Sequence, residues 1–311
     1  MPAIIRVEHL SKQFGDIKAV DALSFTVEKG EVYGFLGQNG AGKSTTIRLL
    51  LTLVRPTGGR IEMMGMDLAS HRREILRQTG AIIEKPDLYK YLTATENLRL
   101  FAAMSGVKVS SKRFADQLEI VGLSERAHSK VKTFSQGMKQ RLGIAIALVH
   151  DPQLILLDEP TNGLDPQGIA DVRNLILHLS KDLGKTIFVS SHLLHEIEQV
   201  ADSMLIIDKG RKIAEGKVSA LFHPSARVIE LKTPDNEAAY QKIKQSSWNG
   251  FLDQQDKEKI ILKLDKDQTA AFAEWFVKAG GQIHSLAARH SLEDYFLTLT
   301  TNNSHVDAFK N

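Results

Sequence analysis

The sequence predicts an α/β fold in which a largely parallel sheet is covered by helices, interrupted by a helical subdomain and followed by a small α+β domain. Three observations carry this. β-prone apolar runs at residues 32–36, 154–157, 186–190 and 204–207 alternate with helical stretches such as 168–183 and 193–200. Between residues 92 and 149 the pattern turns almost wholly helical, and after Gly216 the punctuation changes to short strands bracketed by proline-containing turns.

Taken in order, residues 22–27 and 61–64 read as additional antiparallel strands, and the sequence after Lys43 reads as a helix up to Pro56. Thr93-Ala94-Thr95-Glu96 is a helix start, with Gly106 and Gly122 as stops inside the helical subdomain, placed at about residues 86–150. The appendage, residues 225–311, reads as strands at 228–232 and 260–264, a helix over 268–279 stopped by Gly280-Gly281, a strand near 283–287 and a closing helix over 291–299. The main domain is expected over residues 1–220.

Bulk composition narrows the function classes. Hydrophobic residues at 42% and charged residues at 25% are ordinary for a globular chain. The 40 basic and 37 acidic residues are interspersed, so no nucleic-acid stripe is expected. Cysteine is absent, which excludes disulfides, thiolate zinc sites and cysteine nucleophiles. Residues 1–7 lack the apolar run of a signal peptide, and no apolar stretch approaches the roughly 20 residues that span a bilayer. A membrane role is therefore expected to be peripheral. His284 and His290 lie near one another without a convincing third ligand.

Gly37-Gln38-Asn39-Gly40-Ala41-Gly42-Lys43-Ser44-Thr45 fits G-x-x-x-x-G-K-[ST] at a junction of strand and helix. Its glycines let backbone wrap closely round phosphate, the helix start offers free N–H groups, and Lys43 supplies a point charge to β- and γ-phosphates. Ser44 is placed to ligate Mg²⁺ through its hydroxyl. Residues 154–157 form an apolar strand that delivers Asp158 and Glu159 at its end. Alternation points the two carboxylates in opposite directions, so they take different tasks: Asp158 in the metal shell, Glu159 polarising the water that attacks γ-phosphate. Together the two motifs identify a P-loop NTPase, a class shared by kinases, GTPases and helicases.

Phe134-Ser135-Gln136-Gly137-Met138-Lys139-Gln140-Arg141, opening a helix just upstream of the acidic strand, resembles the LSGGQ signature of ABC ATPases. Ser135 and Gly137 stand at the positions that touch a γ-phosphate; Gln136 and Met138 depart from the commonest wording. A serine and a glycine at a helix start form an anion site whose phosphate must come from elsewhere. The resemblance implies that it comes from a second subunit, the same chain or a closely related ATPase, in a head-to-tail dimer closing over two ATP molecules.

Other family marks fall in order. Asn162-Gly163-Leu164-Asp165 looks like the D-loop, and Ser190-Ser191-His192 ends a strand with what resembles the switch histidine. Phe14 matches the aromatic residue that stacks on adenine, with Val20 beside it. Where the family normally has glutamine after the strand leading into the helical subdomain, this chain has Glu84, a carboxylate beside Mg²⁺ and ATP. That glutamate, with Tyr33-Gly34-Phe35-Leu36-Gly37 and Ser291-Leu292-Glu293-Asp294-Tyr295-Phe296, resembles the bacitracin and lantibiotic self-protection branch of ABC transporters.

The resemblance implies the ATP-hydrolysing subunit of a transporter, working with a separate transmembrane permease at the cytoplasmic face of the membrane and exporting a peptide antibiotic or clearing it from the bilayer. Glu84 is expected to couple ATP occupancy to the helical subdomain, with the permease contact between about residues 84 and 105. A general multidrug or lipid exporter is the alternative cargo reading. ABC ATPases acting on ribosomes or DNA form a different class, marked by paired cassettes, long coiled coils or zinc modules, none of which the sequence shows. The appendage is expected to help dimerise or regulate.

Overall fold

The computed structural model describes residues 2–108, 110–221, 228–256 and 259–289. These fall into two compact units that part between Val218 and Ser219. Elements of the first unit run β1 (Ala3–Phe14), β2 (Ile17–Glu28), β3 (Val32–Gly37), α1 (Lys43–Leu50), β4 (Gly58–Met63), β5 (Met66–Asp67), α2 (Arg72–Leu76), β6 (Thr79–Ile82), α3 (Ala94–Met104), α4 (Ser111–Ile120), α5 (Gln136–Ala147), β7 (Leu154–Asp158), α6 (Pro166–Lys181), β8 (Thr186–Ser191), α7 (Leu194–Val200), β9 (Ser203–Asp208) and β10 (Arg211–Lys217). One helical turn, α8 (Val218–Leu221), follows.

Two sheets organise this unit. The larger has the order β10-β9-β3-β8-β7-β6, parallel except for β10. Its central strands β3, β7 and β8 are buried along their whole length, which explains why they read as continuous apolar runs rather than alternating ones. Leu154 to Leu157 contribute roughly 1.5–3 kcal/mol each by leaving water, and this anchors the strand that ends in the acidic pair. The smaller sheet, β2-β1-β4-β5, is antiparallel. Phe25 from β2 packs against Tyr33, Phe35 and Phe188 from the larger sheet, with ring centroids 5.9–6.0 Å apart, so an aromatic cluster joins the two layers.

The parallel sheet and the helical insertion of α3, α4 and α5 match the expected fold class. Thr93 caps α3 in a reciprocal capping box with Glu96, and Gly106 and Gly122 end α3 and α4 with φ of 71° and 65°. The predicted helix after Lys43 is shorter than expected: it stops at Leu50, and Thr52 turns the chain at φ 57°. The sequence reading places no strand at β1. Repeated register shifts against β2 break the alternation there, so Ile4 and Ile5 are both buried in succession.

The second unit runs β11 (Val228–Lys232), α9 (Asn236–Lys244), β12 (Leu252–Asp256), β13 (Lys259–Lys263), α10 (Lys266–Lys278) and β14 (Ser285–Arg289). Its antiparallel sheet has the order β12-β13-β11-β14, the βαββαβ arrangement of ferredoxin-like folds. Ile229, Leu231, Ile260 and Leu262 pack with Phe272 and Phe276 of α10. The sequence reading missed α9 and β12. The closing helix expected over residues 291–299 and His290 lie outside the described residues.

Candidate nucleotide-binding and hydrolysis site

The glycine-rich loop leaves the buried end of β3 and turns through Gly40 and Gly42 at φ 82° and 106°. A Cβ at Gly42 would lie 2.4 Å from the carbonyl oxygen of Ala19, so close packing and backbone angle both demand glycine. Gly42 caps α1 without a side chain, which leaves the helix's first N–H groups facing the loop as an anion site. Gln38, Asn39 and Gly40 are exposed, Ala41 is buried, and Ser44 and Thr45 are half-buried at the helix start. The Lys43 side chain is buried. Its ammonium donates to the carbonyls of Gly37 (2.7 Å) and Gln38 (3.2 Å) and pairs with Oε1 of Glu159 at 3.1 Å.

The two carboxylates at the end of β7 have different surroundings. Asp158 is 1% exposed; Ser190 Oγ donates to its Oδ1 at 2.6 Å, while Oδ2 is buried with no hydrogen-bond partner. Glu159 has left the strand at φ 46°, so its direction is set by a turn as well as by alternation. The same Ser190 hydroxyl accepts the Glu159 N–H at 2.9 Å, bracing that unusual backbone. His192, just past β8, places Nδ1 2.9 Å from Oε2 of Glu159. An ionised carboxylate only accepts, so Nδ1 carries the proton of this bond.

The signature segment and the D-loop lie at helix starts. Ser135 caps α5, its Oγ accepting the Met138 N–H at 3.2 Å, and both Ser135 and Gln136 are exposed. A hydroxyl that accepts from a helix N–H still has its own proton to donate outward. Gly137 faces α6, where an added Cβ would make ordinary contact with Gly168 Cα at 3.6 Å. Asp165 caps α6 through Gly168 N–H at 3.0 Å. Among the described residues, neither Ser135 nor Asp165 hydrogen-bonds to Lys43, Glu159 or His192.

The residues expected at the adenine and in the nucleotide-sensing loop are placed less simply. Phe14 is 48% exposed, with the Lys12 ammonium 4.7 Å from its ring centroid. Val20, expected beside it, is instead 1% exposed in the hydrophobic core; the open apolar surface next to Phe14 is its strand partner Ile17, 71% exposed. Val20 is three residues from the next buried position, Leu23, and the irregular backbone between them, with Ala22 at φ 49°, brings both into the core, so the position matched by resemblance does not stand open beside Phe14. Glu84, at φ 60°, is 66% exposed, and Arg48 of α1 reaches its Oε1 at 2.6 Å. The added negative charge is thus met by a cation that sequence reasoning missed. Ser190 was likewise read only as a strand end. Nothing local in the sequence marks Arg48, because its partner lies on another element.

The ABC transporter family model matches residues 20–162. The bacitracin transport ATP-binding protein BcrA of Bacillus licheniformis is 42% identical over 303 residues, covering 96% of this chain and 98% of that protein. The lantibiotic transport ATP-binding protein SrtF of Streptococcus pyogenes is 42% identical over 212 residues, 68% of this chain and 90% of that one. A dimeric ATP-binding cassette solved in a post-hydrolysis state with ADP and Pi superposes with a TM-score of 0.61 at 25% identity, covering 69% of this chain and 98% of that chain. A phosphate-loop lysine and a strand-end histidine meeting on one glutamate, in a chain with full-length transport relatives, lead to one conclusion: the chain belongs to the ABC transporter family, as one of its ATP-binding subunits.

Proposed function

We propose that this subunit hydrolyses ATP at composite sites in a head-to-tail dimer and thereby drives a separate transmembrane permease that exports a bacitracin- or lantibiotic-type peptide or clears it from the membrane. The observation that carries the hydrolytic part is the convergence of Lys43 and His192 on the two oxygens of Glu159. In this reading the helix start and Lys43 hold the β- and γ-phosphates, Glu159 takes a proton from the attacking water, and His192 orients Glu159 and reaches the γ-phosphate. Phe14 stacks on adenine; Ser135, Gln136 and Gly137 of the second subunit complete the phosphate shell, with Asp165 beside them.

The donor set fits Mg²⁺. Asp158 Oδ2 is a buried carboxylate oxygen without a partner, and the Ser44 hydroxyl sits at the phosphate-loop helix. Glu84 is proposed to join this shell or to sense it, although its carboxylate is paired with Arg48. When bound there, Mg²⁺ neutralises developing phosphate charge.

No helix among the described residues is long and apolar enough to cross a membrane. The subunit is proposed to act with a separate permease at the cytoplasmic face, a reading supported by its transport ATP-binding relatives. The cargo follows from the names of the bacitracin and lantibiotic relatives. The C-terminal unit is proposed to dimerise or regulate.

Expressing the chain in a sensitive host, together with the polytopic membrane protein that co-purifies with it, tests the cargo. The minimum inhibitory concentration of bacitracin or a lantibiotic should rise, and the rise should vanish with Glu159→Gln. Unchanged sensitivity to both peptides, alongside intact ATPase activity, would reassign the cargo.

A further inference from the structure

Glu196 stands in the first turn of α7, four residues past His192, and a single oxygen of its carboxylate gathers two hydroxyl groups. Oε2 accepts from Thr161 Oγ1 at 2.8 Å and from Ser191 Oγ at 2.7 Å. Ser191 Oγ in turn accepts the Leu193 N–H at 3.0 Å, closing the turn that carries His192. Thr161 belongs to the turn that follows Glu159: Glu159 O accepts from Asn162 N–H at 3.1 Å, and Thr161 O accepts from Leu164 N–H at 3.2 Å. One atom therefore fastens the segment leading from Glu159 into the D-loop to the segment presenting His192. Glu159, Thr161, Ser191, His192 and Glu196 line one shared cavity of about 200 Å³.

The need for such a fastening is visible in the backbone. Glu159 has φ 46°, a left-handed conformation that a non-glycine residue keeps only when its surroundings over-determine it. Ser190 holds the Glu159 N–H from the strand side. Glu196, through Thr161, holds the chain two residues further on. An ionised carboxylate suits the task because it only accepts, and its hydrogen bonds are about twice as strong as neutral ones.

We propose that Glu196 is a positioning residue for hydrolysis, which sets the Glu159–His192 geometry by tying their two turns together. It touches neither phosphate nor water in this role. The proposal rests on the reading of Glu159 and His192 as the hydrolytic pair.

The test compares Glu196→Ala, Glu196→Gln and the double variant Thr161→Val/Ser191→Ala in the full-length chain, measuring steady-state ATPase kinetics, affinity for a fluorescent ATP analogue and melting temperature. Glu196→Ala is expected to lower kcat on the order of tenfold, because small misplacement of catalytic groups is costly, with KM and analogue affinity within about twofold. Glu196→Gln should keep at least about half of kcat, since its amide oxygen accepts both hydroxyls. The double variant should reproduce the alanine loss, and it carries the expectation alone if Glu196→Ala does not fold. Wild-type kcat in the double variant, or a folded Glu196→Gln as slow as alanine, would overturn the proposal. Failure of the underlying reading is separately visible as undiminished turnover in Glu159→Gln.

Discussion

The Lys43 ammonium lies 3.1 Å from Oε1 of Glu159 while also donating to the carbonyls of Gly37 and Gln38. Two of the three ammonium protons are given to those carbonyls, and the contact with Glu159 is an ion pair. A γ-phosphate oxygen that takes the third proton replaces Glu159 as the charge partner of Nζ, which would leave Oε1 free to accept from water. His192 meanwhile keeps hold of Oε2 at 2.9 Å. The same carboxylate is thus placed to pass from a lysine partner to a water partner without losing its orientation.

Replacing Glu159 by glutamine removes the proposed proton acceptor but preserves size. Turnover should fall by at least about 10²-fold, the usual scale for losing a general base, while ATP affinity stays within about threefold. Single-turnover phosphate release and nucleotide binding measure the two quantities.

The exposed Ser135 at the start of α5 is proposed to meet the γ-phosphate held by a second subunit. With ATP, the Glu159→Gln chain should therefore elute as a dimer and, with Ser135→Glu added, as a monomer, since a carboxylate there repels the γ-phosphate. Light scattering after size exclusion reads the outcome; nucleotide binding by each copy alone, with no dimer, would reject the shared site.

The Arg48–Glu84 pair spans two elements but is largely exposed, so its contribution to stability should be small, about 0–1 kcal/mol. Glu84→Gln and Arg48→Met should leave the melting temperature nearly unchanged. If Glu84 links nucleotide to the helical subdomain, both should instead weaken permease stimulation of ATPase activity. Basal and permease-stimulated rates measured side by side decide the matter.

His150, half-buried after α5, has its basicity lowered, mainly by burial; its Nε2 meets the Thr79 carbonyl at 3.2 Å, and Nδ1 has no partner. The folded state favours the neutral ring. The unfolded chain therefore binds the proton more readily, and His150's contribution is complete above its ordinary value of 6.5 and lost as pH falls below it. The melting temperature of wild type minus that of His150→Asn should consequently decrease between about pH 7.5 and pH 5.5, which calorimetry at several pH values measures.

Much of the fold could be read directly because its strongest signals are local. The strands β3, β7 and β9 are short apolar runs ended by glycine or acidic residues, β8 is one ended by two serines, and the capping box at Thr93 announces α3. β1 escaped because its bulges destroy the period-2 pattern, and α1 was drawn too long because nothing before Pro56 visibly breaks a helix. In the second unit, α9 was overlooked although Asp235 caps it through the Ala238 N–H.

The sequence by itself determined the family resemblance and the candidate groups: a phosphate-loop motif with its lysine, two carboxylates at a strand end, a serine-glycine helix start and a histidine after a strand, each recognisable because neighbouring residues supply the whole motif. Only the tertiary structure decided which of these groups meet. Lys43 and His192 reach Glu159, Ser190 serves both Asp158 and Glu159, Arg48 answers the charge of Glu84, and Val20 turns into the core rather than toward Phe14. The reason is physical: local spacing controls backbone shape within a few residues, whereas partners across the sheet are chosen by strand order, register and burial, which the whole chain settles together.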